Sequence, residues 1–405
     1  MVFSRKKRIY LDYASTTPVS RVSLRALRAA ESIVGNPSSI HEEGVLASRS
    51  LADSRTRIAA ELGCKAREII FTSGITESNS LAILGLARAM ELKGANLAGT
   101  HWIVSAIEHS SVLEDFSEIE RKGGRVSFAD PDPRGIILPE SVANLLCKET
   151  VCVSIGWANN ETGVVQPLSS ITRIIRTHEE KHGTRVVFHS DAGQAPLYRP
   201  PQAHTLGVDL LSLGASKAYG PHGIGCLYVN NRAELAPIIL GGGQERGARA
   251  GTENVALAAG FAAALEEAGR TRQKESKRLK KMRDDFAREI VAQIPGALVN
   301  GSLDHLLPHM LNISIPNIDA EYLVLALDRE GIALSTKSSC REGETASHVV
   351  AALERASRAL PSEASAKEGR ARNTLRFSLG RNTTVGDMKR VLRVLAAQAR
   401  TLSSS

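Results

Sequence analysis

His189-Ser190-Asp191-Ala192-Gly193-Gln194 and, one strand and a turn later, Ser216-Lys217-Ala218-Tyr219-Gly220-Pro221-His222-Gly223-Ile224-Gly225 decide how this chain is read. Each stretch follows a short apolar run, Val186–His189 and Leu210–Leu213, of the kind that forms a buried strand. The spacing is long enough to end one strand, turn and begin the next. The Asp191 carboxylate and the Lys217 amine can therefore converge on one small ring. An amine that bonds an aldehyde and an acid that keeps a pyridine nitrogen protonated are the two groups that pyridoxal phosphate requires. Either residue alone also fits a surface cation or an ordinary loop. The rest of the chain must therefore supply a phosphate site and a flat partner for the ring.

Several strand ends do so. Thr72-Ser73-Gly74-Ile75-Thr76-Glu77-Ser78-Asn79 follows an apolar strand and opens an amphipathic helix. Its free N–H groups suit a phosphate, and its Ser73 or Thr76 hydroxyl also suits a simple N-cap. Glu108-His109-Ser110-Ser111 ends another strand, where open α/β sheets place ligands. A His there can lie against a ring and move protons. Trp157-Ala158-Asn159-Asn160-Glu161-Thr162-Gly163 ends a third strand with two amides. The run from Gly241 to Thr252, with Arg246 and Arg249, reads either as a flexible linker or as an anion site. Arg376 lies in the apolar strand Leu375–Leu379 and needs a carboxylate partner, from the protein or from a substrate.

Composition bounds the class. With 405 residues, 42% hydrophobic and 23% charged, the chain reads as a soluble globular protein of a large and a smaller domain. The net charge of +8 gathers partly in Arg5–Arg8 and between Arg270 and Arg283. These stretches read as a frayed terminus and solvated helix faces, so direct nucleic-acid binding is not expected. The cysteines Cys64, Cys147, Cys152, Cys226 and Cys340 are odd in number and lack CxxC spacing, which argues against a disulfide framework and a zinc site. Cys152 and Cys226 fall in apolar runs and read as buried. Cys340, between Lys337 and Arg341 in a polar loop, reads as an exposed thiol poised to ionise. No apolar run reaches the ~18–20 residues of a membrane span, and no signal-peptide core opens the chain. The cytoplasm is the expected location.

Short apolar runs alternating with longer amphipathic ones predict an α/β fold whose sheet is mostly parallel. Expected strands are Ile69–Thr72, Trp102–Ala106, Arg125–Phe128, Val151–Gly156, Val186–His189, Leu210–Leu213 and Cys226–Val229. Expected helices are Val19–Val34, Gly44–Leu62, Glu77–Leu92, Ser110–Lys122, Pro139–Leu146 and Leu168–Lys181. Glu253 to Ile294 reads as one long connecting helix. Beyond it come a strand near Leu311–Ile315, a helix at Ala320–Glu330, the Cys340 loop and a helix at Ala346–Leu360. A polar stretch, Pro361–Asn373, a strand at Thr374–Leu379 and a helix from Val385 close the chain.

The order of these pieces resembles the cysteine desulfurases, enzymes of the class V aminotransferase-like group. The likeness runs from Tyr10-Leu11-Asp12-Tyr13-Ala14-Ser15-Thr16-Thr17-Pro18 to Arg376-Phe377-Ser378-Leu379-Gly380-Arg381. It includes Gly35-Asn36-Pro37-Ser38-Ser39, the Asn159-Asn160-Glu161 segment and Gly241-Gly242-Gly243-Gln244-Glu245. It implies the large pyridoxal-phosphate transferase fold (fold type I): a helix-sandwiched, mostly parallel sheet in a large domain, 15–255, with 1–14 and 256–405 forming a smaller α+β domain. It implies that L-cysteine becomes L-alanine while its sulfur is captured as a persulfide on Cys340. The sulfur then passes to an iron–sulfur scaffold or a tRNA-thiolating enzyme.

The resemblance assigns roles to residues. Lys217 resembles the lysine that bonds the cofactor, Asp191 the partner of the ring nitrogen, Gln194 the donor to the phenolic oxygen and His109 the ring-stacking imidazole. Ile75, Thr76 and Ser216 match phosphate-binding positions. Thr252 matches a threonine that reaches the neighbouring subunit's phosphate, which implies a homodimer with shared sites. Asn160, Arg376 and Asn36 match positions around the substrate. The chain departs from the pattern at Gly214-Ala215-Ser216-Lys217, where the family usually carries Ser-Gly-His-Lys, so the expected phosphate grip is weaker. Two other readings follow: a selenocysteine lyase or another class V lyase, and a non-catalytic relative acting as a binding partner.

Overall fold

A computed structural model describes residues 8–336, 346–358 and 369–403. In chain order the elements begin with β1 (Ile9–Tyr10), α1 (Arg21–Glu31), α2 (Glu42–Leu62), β2 (Ile69–Thr72), α3 (Ile75–Leu92), β3 (His101–Ser105), α4 (Ser110–Arg121) and β4 (Arg125–Ala129). They continue with α5 (Pro139–Leu145), β5 (Thr150–Ser154), α6 (Leu168–His182), β6 (Val187–Asp191), α7 (Ala203–Leu206), β7 (Leu210–Gly214) and β8 (Gly225–Val229). Last come α8 (Val255–Gln293), β9 (Leu298–Val299), β10 (Met310–Ser314), α9 (Ala320–Arg329), β11 (Ile332–Ala333), α10 (His348–Arg358), β12 (Thr374–Ser378) and α11 (Val385–Ser403).

Local chemistry sets the boundaries. Helix α1 starts later than the apolar periodicity suggests, because the Ser20 side chain accepts the Ser23 N–H and caps it there. Helix α2 starts earlier than expected, on the His41 cap, with Glu42 and Glu43 favourably placed in its first turn. It stops at Gly63, whose φ of 62° is left-handed. The two-residue strands β1, β9 and β11 are too short to carry a periodic signal, and none was expected.

The seven-stranded sheet runs in the order β2-β8-β7-β6-β5-β3-β4. Strand β8 is antiparallel to both its neighbours, and the other pairings are parallel. Its two faces separate by residue parity, as strand pleating requires. Ile103, Val153, Phe188 and Leu211 enter one apolar cluster. Trp102, Val104, Cys152, Val187 and Leu210 enter the other. Helix α8 buries its Ala-rich first half, from Val255 to Ala268. The expectation of a solvated basic face fails at Arg283. That side chain is wholly buried, because its guanidinium donates to the carbonyls of Leu303 (3.0 Å) and Leu307 (2.8 Å).

A three-stranded antiparallel sheet, β12-β10-β9, and the parallel pair β1-β11 complete the strands. Asp12 bridges to Ser378 of β12, which ties the chain after β1 to the three-stranded sheet.

The start of β8 touches the start of α3 backbone to backbone. A Cβ on Gly225 would stand 2.6 Å from the Leu213 carbonyl oxygen and 2.8 Å from Gly74 Cα. Gly225→Ala must therefore push these segments apart. We expect a loss of about 1–3 kcal/mol, the usual cost of overpacking, measured by chemical denaturation. An unchanged midpoint would refute this contact.

Candidate active site

Strands β2, β3, β5, β6 and β7 all point the same way, so their C-terminal ends share one edge of the sheet. A cavity of about 410 Å³ opens there. Ser73 to Glu77 line it after β2, Glu108 and His109 after β3, and Gly156 with Ala158 to Asn160 after β5. Asp191, Gly193 and Gln194 line it from β6, and Ser216 and Lys217 after β7. Arg376 enters from β12, with Ala14 and Ser15 from the chain after β1.

The structure thus brings Ile75, Thr76, His109, Asn160, Asp191, Gln194, Ser216, Lys217 and Arg376 to one cavity. Asn36 and Thr252 are exposed and lie outside its walls. Asn36 instead closes its own turn, its side-chain oxygen accepting the Ser38 N–H at 2.9 Å. Cys340 lies outside the described residues.

Lys217 donates to the carbonyls of Ala14 (2.9 Å) and Ser15 (2.5 Å). Its strand-to-turn backbone is held by Thr17, whose N–H and hydroxyl both donate to the Ser216 carbonyl. Asp191 is oriented by two donors: Gly193 N–H at 2.7 Å on Oδ1 and the Asn79 amide at 2.8 Å on Oδ2. Gln194 donates to the Ala14 carbonyl at 2.9 Å. Asn79 also donates to the Ser111 hydroxyl, so it ties α3 to α4 behind the carboxylate.

His109 is the N-cap of α4, and its Nδ1 accepts the Ser111 N–H at 3.1 Å. Burial pushes its imidazole below the usual range, against Asp191, which pulls it up, while Lys217 lowers it further. A neutral ring whose Nδ1 accepts that N–H carries its proton on Nε2. Glu108, one residue earlier, is fully buried and accepts the Gly156 N–H at 2.5 Å. Burial, reinforced by the nearby Asp191 charge, pushes its carboxyl up to about 8. Glu108 adjoins His109 and Asn79 closes the Thr72–Asn79 stretch, but nothing local in the sequence gives either a role.

At the start of α3 neither Ser73 nor Thr76 caps. The N-cap is Gly74, and the Ser73 N–H goes to Glu77 Oε2 at 2.7 Å. Ile75 explains the unusual Gly214. A Cβ on Gly214 would lie 2.5 Å from Ile75 Cγ1, and one on Gly193 would lie 2.8 Å from Ile75 Cδ1. The Ile75 side chain fills the space between these two glycines.

Arg376 is nearly wholly buried. It donates to the Asn160 carbonyl (2.9 Å), to Asp12 (2.8 Å) and to the Ser15 hydroxyl (2.6 Å). Its buried Nε has no partner among the described residues. The expected carboxylate partner is thus Asp12, with donor capacity left over.

The run from Gly241 to Thr252 is pinned rather than slack. Glu245 and Arg246 adopt left-handed φ of 48° and 58°, which costs non-glycine residues of order 1–3 kcal/mol each. Glu245 offsets this with a buried two-point pair to Arg55 (2.6 Å each) and by accepting the Phe71 N–H.

This set fits a phosphorylated pyridine aldehyde. A fixed amine, an oriented carboxylate, a neutral imidazole and a helix start surround one cavity, and a buried guanidinium nitrogen remains unmatched. Among the described residues, no cluster suits a metal ion, and no helix is long and apolar enough to cross a membrane.

The chain is similar to known proteins over nearly its whole length. Residues 9–391 match the Aminotransferase class-V family. Cysteine desulfurase IscS of Dictyoglomus turgidum is 38% identical over 96% of this chain and 94% of its own. Cysteine desulfurase IscS 1 of Archaeoglobus fulgidus is 35% identical over 95% of each. Among solved structures, a NifS-like protein superposes with a TM-score of 0.86 at 31% identity, covering 97% of this chain and all (100%) of its own. DndA from Streptomyces lividans superposes with a TM-score of 0.72 at 33% identity, covering 91% and 99%.

Two outcomes follow from the site. Glu108 binds a proton in the fold that it has released when unfolded between roughly pH 4.5 and its folded value of about 8. The fold therefore binds more protons in that window and loses stability as pH rises through it, by at most ~1.4 kcal/mol per pH unit from this group. Stability of Glu108→Gln minus that of the wild type should grow across the window and level off above it. A flat difference would refute the buried acid. Separately, Gly214→Ser should destabilise the chain by about 1–3 kcal/mol, and adding Ile75→Ala should recover most of that loss in thermal or denaturant melts.

Proposed function

This chain belongs to the class-V aminotransferase family and, within it, to the cysteine desulfurases, and from that premise we propose how its residues divide the work. The overall change is that L-cysteine and the Cys340 thiol become L-alanine and a Cys340 persulfide. The substrate C–S bond breaks, an S–S bond forms, and the substrate β-carbon gains a proton. Atoms and electrons balance without an outside oxidant.

The observation that carries this reading is the meeting of the Lys217 amine, the Asp191 carboxylate and the start of α3 in one cavity. Pyridoxal phosphate, when bound, supplies an aldehyde for amines and a protonated ring that draws electrons from the substrate α-carbon. Lys217 is its covalent anchor and, once released, takes and returns the α-proton at Nζ. Asp191 holds the ring nitrogen, and Asn79 and Gly193 hold Asp191. His109 stacks on the ring and carries a proton on Nε2. Gln194 donates to the phenolic oxygen. Ile75 and Thr76, with Ser216, take the phosphate at the positive end of α3. Arg376 and Asn160 grip the substrate carboxylate, with Asp12 and Ser15 keeping the guanidinium in place.

We take residues 15–255 as the cofactor-binding domain and 1–14 with 256–405 as the small domain that carries the Cys340 loop. The enzyme is a homodimer in which Thr252 serves the neighbouring copy's phosphate, which accords with the exposure of Thr252 in the single chain. It works in the cytoplasm. Sulfur passes from Cys340 to an acceptor protein, either an iron–sulfur scaffold or a tRNA-thiolating enzyme.

Purified protein mixed with L-cysteine should yield alanine, with a mass gain of one sulfur on the Cys340 peptide. Cys340→Ala should keep the visible absorption of bound cofactor and lose desulfurase turnover by at least ~100-fold. Lys217→Ala should lose both the anchored-cofactor absorption and turnover. If Cys340→Ala still turned over selenocysteine well and cysteine poorly, the chain would be a selenocysteine lyase instead.

A further inference from the structure

We propose that Arg249 is a positioning residue that holds the Glu77 carboxylate aside from the phosphate-binding start of α3, so that Glu77 does not act as a competing anion there. The proposal rests on the cofactor reading above. It concerns two residues that none of the roles in that reading employs.

Glu77 lies in the first turn of α3 and lines the same cavity as Ser73, Gly74, Ile75 and Thr76. It takes the N–H of Ser73, which precedes the Gly74 cap, at 2.7 Å, and so sits within reach of the N–H groups that open the helix. A helix start attracts any anion within reach, and a side-chain carboxylate competes with a phosphate for the same donors. Two like charges at one helix end also repel.

Arg249 answers both problems. Its Nε donates to Glu77 Oε1 at 2.8 Å and its Nη2 to Oε2 at 3.3 Å. The fork supplies the opposite charge and fixes the carboxylate at two points, which a Lys could not do with one point of contact. Burial pushes the Glu77 carboxyl up, but the Arg249 bond and the Ser73 donors outweigh it and hold the group below the usual range. Glu77 is thus an anion at neutral pH in the free chain.

The loop that delivers Arg249 is registered on the same unit. Glu245 takes the Phe71 N–H of β2, and Arg246 donates to the Ile69 carbonyl of β2 at 2.9 Å. Strand β2 leads directly into α3. The left-handed backbone at Glu245 and Arg246 is what lets one short run touch β2 first and α3 second.

The test is equilibrium binding of pyridoxal phosphate and of pyridoxal, which lacks the phosphate, to the full-length chain freed of cofactor. Arg249→Gln should weaken pyridoxal phosphate binding roughly tenfold and leave pyridoxal binding within about twofold. Adding Glu77→Gln should restore pyridoxal phosphate binding to within about threefold of wild type. Glu77→Gln alone should bind pyridoxal phosphate at least as tightly as wild type, a measurement that stands even if Arg249→Gln does not fold. Equal losses for both ligands, no recovery in the double variant, or weaker binding by Glu77→Gln alone would each overturn the proposal. A wild-type chain that binds pyridoxal but gains nothing from the phosphate would overturn it as well. Failure of the wild type to bind either ligand would instead overturn the cofactor reading, and this proposal with it.

Discussion

A shared strand direction is the constraint from which the cavity follows. Strands β2, β3, β5, β6 and β7 are parallel, so the chain leaves each of them at one edge of the sheet. Backbone that has just left a ladder has unspent N–H groups and short side chains that face a crevice rather than a core. The one reversed strand, β8, does not break this arrangement. It enters the sheet at that edge, with Gly225 opposite Gly214, and its missing side chain lets α3 begin against it.

The cavity is crowded with ionisable groups, and the fold gives each different partners. Asp191 has two donors and lines the cavity. Glu108 has one backbone donor and a fully buried carboxyl that holds its proton to about 8. His109 is kept neutral chiefly by burial. Arg376 is countered by Asp12, and Lys217 is parked on two carbonyls. Neighbouring groups of one chemical type thus do different work because their surroundings differ, not because their residue types do.

Much of this was legible in the sequence, because strand ends announce themselves. Asp191, Lys217, His109, Asn160 and Thr76 each lie shortly after an apolar run, and the period of those runs is a local property. What stayed hidden depends on contacts between distant segments. Nothing local says that the Ile75 side chain needs Gly214 beside it. The basic stretch that ends at Arg283 read as solvated because periodicity cannot show that the carbonyls of Leu303 and Leu307 lie within its reach. The Gly-rich run before Thr252 read as either linker or anion site. The partners of Glu245 and Arg249, Arg55 of α2 and Glu77 of α3, show it to be anchored at two points.

Arg376 meets the protein in two ways. Its guanidinium lines the cavity, while its backbone N–H donates to the Ser335 carbonyl at 2.7 Å. Ser347, on the far side of the stretch that holds Cys340, donates its hydroxyl to Glu161 at 2.5 Å. Anyone transplanting that stretch from a relative therefore has natural splice points. Cuts placed outside Ser335 and Ser347 carry both moorings along with the graft, whereas cuts inside them leave the host's own moorings to receive a foreign span. A donor segment of different length would then have to fit between two fixed posts, one of which is the backbone of Arg376.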